Sequence, residues 1–148
     1  MGPSGPGAEA VLFQDYETHL EWLAEALALR PAGESVFDAV LASVGSFPHD
    51  VEIVRQAAIV RATLISGERI AGHLRVVQAS FAAVMTDFVQ KRYPEYSRLV
   101  AEVAGATLAA ALVVAVEYWG REGCTGDLGA IVAESVTLVR SGLAPLSG

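Results

Sequence analysis

The residues of this chain that could do chemistry stand apart from one another. Its histidines are His19, His49 and His73, and none shares a short spacing with a second type of metal ligand, whereas zinc sites are built on closely spaced pairs. Cys124 is the only cysteine. It can form no intrachain disulfide, and its expected role is that of a small residue in a turn, with a redox sensor as the alternative. No Gly-x-Ser-x-Gly nucleophile elbow and no paired Cys and His are present, so hydrolase and cysteine-enzyme chemistry have no anchor. Gly120-Arg-Glu-Gly123 and Gly126-Asp-Leu-Gly129 are glycine-rich. No Gly-Lys-Ser/Thr follows them, and they join helix to helix, whereas phosphate loops join a strand to a helix. The expectation is a chain without metal, cofactor or enzymatic activity.

The elements that carry these residues are helical throughout, because apolar residues recur at steps of three and four and strand-like alternation is absent. Met1 to Gly7, rich in Gly and Pro, has nothing to bury and reads as a flexible lead over residues 1–8. A first helix is expected from Glu9 to Leu29, with Leu12, Tyr16, Leu20, Leu23 and Leu27 on one face. Pro31 and Gly33 end it. Ser35 opens a second helix as its cap, Gly45 closes it in a left-handed conformation, and Pro48 blocks continuation. Asp50 caps a third helix, from Val51 to Ile65, whose inner side is Ile53, Val54, Ala57, Val60 and Leu64. After Ser66-Gly67 a long fourth helix runs from Glu68 to Arg92, with Ile70, Leu74, Val77, Phe81, Val84 and Phe88 as its stripe.

A fifth helix is expected to start with Pro94 in its first turn and to run to Trp119. Leu99, Val103, Ala106, Ala110, Val113 and Val114 form one apolar face, and Ala101, Gly105, Leu108, Leu112, Val116 and Trp119 form another. A surface helix of a monomer shows one such stripe. Two imply that one is buried in the subunit core and the second against something else. The last helix, Asp127 to Ser141, buries Leu128, Ile131, Val132, Leu138 and Val139, and the domain spans residues 9–143.

Bulk composition narrows the class further. With 148 residues, 53% hydrophobic and 18% charged, the chain suits one folded domain and not a disordered one. Its net charge is −7, ten basic residues being scattered among seventeen acidic ones. A domain that grips phosphates needs a basic face, so direct nucleic-acid binding is disfavoured. The uncharged run from Val103 to Val116 is shorter than the roughly twenty residues a bilayer span requires. No signal peptide is visible in Met1 to Gly7. A cytoplasmic protein with no membrane contact is expected. Lys91 is the only lysine and there is no asparagine, a bias of GC-rich bacterial coding.

Glu9-Ala-Val-Leu-Phe-Gln-Asp-Tyr-Glu17, followed by Leu-Arg-Pro-Ala-Gly-Glu-Ser from Leu29 to Ser35, resembles the stretch of actinobacterial TetR-type regulators that directly follows their helix-turn-helix. The helix order is also similar to that family's regulatory domain: a short second helix, two helices broken by Ser-Gly, and a long Ala-rich helix. Trp119-Gly-Arg-Glu-Gly123 and the Asp-Leu start that follows look like the family's usual closing elements. The resemblance covers nearly the whole chain from Glu9. Upstream stand only Met1 to Ala8, in place of the three-helix DNA-binding domain. An excised piece, a misplaced start codon and a natural regulator without a reader head all fit.

The resemblance implies an all-α, six-helix TetR-type regulatory domain that dimerises through a four-helix bundle. The chain would sense a hydrophobic small molecule within a bacterial transcriptional repressor, touching DNA only through the missing N-terminal domain. The homodimer interface it implies comprises Leu99, Val103, Ala106, Ala110, Val113, Leu128, Ile131 and Ser135. It further implies a cavity between the second to fifth helices, walled by Phe37, Leu41, Val77, Phe81, Met85 and Leu108, with His73 and Thr107 as polar contacts. For each of these, plain core packing is at least as strong a reading as ligand contact. A stand-alone interaction protein that heterodimerises with a full-length regulator is the rival reading, and a small helical enzyme, lacking any convergent acid, base or nucleophile, is a third.

Overall fold

The computed structural model describes residues 6–46, 51–63, 67–142 and 146, and over them the chain is all-helical, without strands. Its elements are α1 (Pro6–Ala28), α2 (Val36–Gly45), α3 (Val51–Thr63), α4 (Gly67–Arg92), α5 (Arg98–Arg121) and α6 (Leu128–Arg140).

Local chemistry sets most of the helix ends. The Ser35 hydroxyl accepts the Asp38 N–H at 3.1 Å, and Asp38 places a carboxylate in the first turn of α2, where the helix dipole favours it. Asp127 Oδ1 accepts the Gly129 N–H at 2.9 Å and caps α6. α1 starts at Pro6, ahead of the expected Glu9, because a proline needs no N–H at a first helical position. Pro94, expected inside the fifth helix, lies in the turn before it. Ser97 is the cap, its hydroxyl accepting the Val100 N–H at 3.3 Å. Gly45 does not take the left-handed conformation expected of it: α2 runs through it, and Ser46, at φ −96°, closes the helix. That conformation is adopted instead by Gly123, Cys124 and Gly126, at φ 81°, 57° and 81°, where the chain reverses between α5 and α6. Pro48, His49, Asp50 and the stretch 64–66 lie outside the described residues.

α5 is the central element, packing along α4 and α6 and touching α3, while α1 leans on α2, α3 and α4. The shared core joins Leu23 and Leu27 of α1, Val40 of α2, Met85 and Val89 of α4, Leu108 and Ala111 of α5, and Val132 and Val136 of α6. Burying each of the larger side chains contributes about 2 kcal/mol. Trp119 lies at the end of α5, outside this cluster. It is fully buried, its indole N–H points to the Gly126 carbonyl at 3.4 Å, and the Arg55 guanidinium lies 5.6 Å from its ring centre. Arg92 Nη1 donates to the carbonyls of Pro31, Ala32 and Glu34, tying the α1–α2 turn to the end of α4.

The two apolar faces of α5 are both present. Ala101, Gly105, Leu108, Ala109, Ala111, Ala115 and Trp119 are buried, while Leu99, Val103, Val114 and Tyr118 are exposed, Leu99 by 70%. The uncharged run within α5 was expected to be too short for a bilayer span. The helix that carries it has 24 residues and is long and apolar enough, by length and composition, to cross one. Length therefore does not exclude a span. Only 33% of its most apolar stretch is buried against the other helices.

Candidate ligand pocket

A pocket of about 340 Å³ opens among the helices, within the roughly 300–1,000 Å³ of small-molecule sites. Among the described residues it is walled by Tyr16, His19, Trp22 and Leu23 of α1, Val54 and Arg61 of α3, and His73, Leu74, Val77 and Phe81 of α4. α5 adds Leu112, Val113, Val116 and Glu117, and the start of α6 adds Leu128 and Val132, with the capping Asp127 beside them. α2 reaches it only through Val44 and Gly45 at its end. The lining thus draws on all six helices, and not only on the second to fifth.

Helical periodicity explains how this wall is made. His73, Val77 and Phe81 repeat at steps of four, and Val113, Val116 and Glu117 at steps of three and four, so each set lies on one side of its helix. The polar groups gather around Arg61. Its side chain is 8% exposed, and its Nε lies 2.7 Å from Oε2 of Glu117, itself 22% exposed. That contact is an ion pair but lacks hydrogen-bond alignment, for Nε has no hydrogen-bond acceptor. The His73 imidazole meets the Tyr16 ring edge-to-face at 6.3 Å. Burial, and secondarily the Arg61 charge, hold the His73 pKa below the usual 6.5. His73 is therefore neutral at pH 7 and can donate from one ring nitrogen and accept at the other.

No protein-family model matches the chain, and no curated protein matches it.

Of the ligand contacts expected from the sequence, His73, Val77 and Phe81 are brought together on the wall. Met85 and Leu108 are not: they are fully buried in the core below. Phe37 and Leu41 pack half-buried against that core, also away from the pocket. Thr107 is exposed on the outer side of α5, where its hydroxyl donates to the Val103 carbonyl at 2.6 Å. Thr107 and Leu108, adjacent on α5 and about 100° apart around it, point to solvent and into the core respectively, and neither reaches the pocket.

The expected interface set also divides. Leu99, Val103 and Ala106 are exposed, and Ala110 and Ile131 are half-buried. Val113 and Leu128 turn to the pocket. Ser135 donates its hydroxyl to the Ala111 carbonyl at 2.8 Å, which uses its polar group within the chain. Tyr118, exposed on the same side of α5, was not foreseen.

Sequence reasoning missed the rest of the lining, including its polar and aromatic members Arg61, Glu117, Tyr16, His19 and Trp22. One signal was available for Arg61. It falls at the helical step after Val54 and Ala57, on the inner stripe of α3, where a charge interrupts an otherwise apolar run. Nothing comparable marks Trp22 or His19. Among the described residues there is no cluster of His, Cys, Asp and Glu that could hold a metal ion.

Proposed function

We propose that this chain is the small-molecule-sensing and dimerisation domain of a TetR-type transcriptional repressor. One observation carries the reading: α5 lends Leu112, Val116 and Glu117 to a pocket on one side and holds Leu99, Val103, Val114 and Tyr118 out to solvent on another. A helix so placed can report pocket occupancy to whatever covers its outer face. Exposed apolar side chains in such a row are what a subunit interface requires. A twofold interface lets one patch serve both copies. α6, which runs antiparallel to α5 with Ser135 opposite Ala111, adds the exposed Leu138. Paired with its symmetry mate, this two-helix unit makes a four-helix bundle.

In a complete regulator, an apolar ligand would favour one packing of the pocket walls, and α1, which carries Tyr16 and Trp22 into the pocket, would pass that preference to an attached DNA-binding head. Such coupling typically amounts to about 1–3 kcal/mol. The test is a fusion of α1 to a TetR-type DNA-binding domain, assayed for operator release by ligands that raise the melting temperature of the isolated chain. Release is expected. Operator affinity unmoved by every stabilising ligand overturns the proposal.

A further inference from the structure

We infer that the pocket takes a neutral, largely apolar molecule bearing a hydrogen-bond acceptor, such as a carbonyl oxygen, to which the Arg61 guanidinium donates. The inference rests on the reading of this pocket as the effector site and adds the chemical class of its occupant.

The argument begins with charge. Arg61 and Glu117 meet at 2.7 Å and cancel one another. An anionic ligand would compete with Glu117 for Arg61 and sit among the carboxylates of Glu117 and Asp127, and a cationic one would face Arg61. Either would leave one charge uncompensated beside the apolar walls of Val77, Phe81 and Leu112, which costs more than a lone hydrogen bond returns. His73, held neutral at pH 7 by burial, adds no charge to offset this.

Hydrogen bonding supplies the second half. A guanidinium has five N–H donors. The Arg61 side chain is largely buried, Nε has no aligned acceptor, and no hydrogen bond from this group exists among the described residues. A buried donor without an acceptor, as Nε is, is costly. A ligand carbonyl accepts from this guanidinium without taking the place of Glu117, while the apolar walls accept its body.

The experiment uses an isosteric series on one phenyl body: benzylacetone, its amine analogue, hydrocinnamate and butylbenzene, each titrated into the full chain at neutral pH by calorimetry and thermal shift. Benzylacetone is expected to bind at least about tenfold more tightly than the other three, a factor equivalent to ~1.4 kcal/mol. In the charge-free double variant Arg61→Met with Glu117→Met, benzylacetone and butylbenzene converge in affinity. In the single variant Glu117→Gln, which leaves Arg61 unbalanced, hydrocinnamate gains at least about tenfold on benzylacetone. Hydrocinnamate or the amine binding best to the unaltered protein overturns the inference and leaves the pocket reading intact. Butylbenzene matching benzylacetone, or a preference unmoved by Glu117→Gln, overturns it equally. Binding by none of the four removes the pocket reading and this inference with it.

Discussion

Gly105 of α5 passes so close to Thr86 of α4 that a methyl group on its Cα would fall 2.0 Å from the threonine Oγ1. The same methyl would lie 2.7 Å from the Thr86 backbone nitrogen and 2.8 Å from the Ala82 carbonyl. The backbone atoms cannot step aside, so the closest approach of the two longest helices exists only because residue 105 has no side chain. That approach fixes how α5 rotates on α4, and hence which residues of α5 turn to the pocket and which to solvent.

Gly105→Ala is therefore expected to destabilise the fold by at least about 3 kcal/mol, because overpacking against backbone outweighs the ~1 kcal/mol gained in helix propensity. Gly72, in α4 with open space around it, is the contrast. Gly72→Ala should stabilise by roughly 0.5–1 kcal/mol. Urea midpoints read both, and similar effects at the two positions would refute the packing account.

Arg61→Gln should cost about 1–3 kcal/mol of stability, since it leaves the half-buried Glu117 carboxylate without its counter-charge. Replacing both partners by methionine should recover most of that loss. A double variant no more stable than the single one contradicts this.

His73 makes stability depend on pH. Its folded-state pKa lies below 6.5, chiefly through burial, so the unfolded chain binds the proton more tightly. Its contribution is full above pH 6.5 and declines as the pH falls from there toward the depressed folded value. His73→Gln should flatten that decline. Comparing the two melting curves isolates this group from His19, Tyr16, Arg61 and Glu117, which line the same pocket. Parallel pH profiles would show that His73 titrates normally.

Val103, 56% exposed at the centre of the outer face of α5, reports on self-association. Val103→Arg is expected to weaken the dimer by at least about a hundredfold, or ~2.7 kcal/mol, through like charges facing across the twofold axis. Sedimentation at micromolar concentration decides it. An unaltered protein that already sediments as one protomer defeats the dimer proposal. A shift confined to Thr86 or Gly105 variants would instead mean that α5 has lost its setting.

The chain's own sequence determined its helices and most of their ends, because periodicity, the caps Ser35 and Asp127 and the stops at Pro31 and Gly123 act within a few residues of themselves. It likewise made α5 apolar on two sides, a property of composition and spacing alone. Tertiary structure decided which side of each helix faces what. Thr107 points outward and Leu108 into the core, because the Gly105–Thr86 approach sets the rotation of α5. Arg61 meets Glu117, because α3 crosses α5 at that level. Such pairings depend on how whole helices lie against one another, and a hydrophobic period of three and four leaves that angle open.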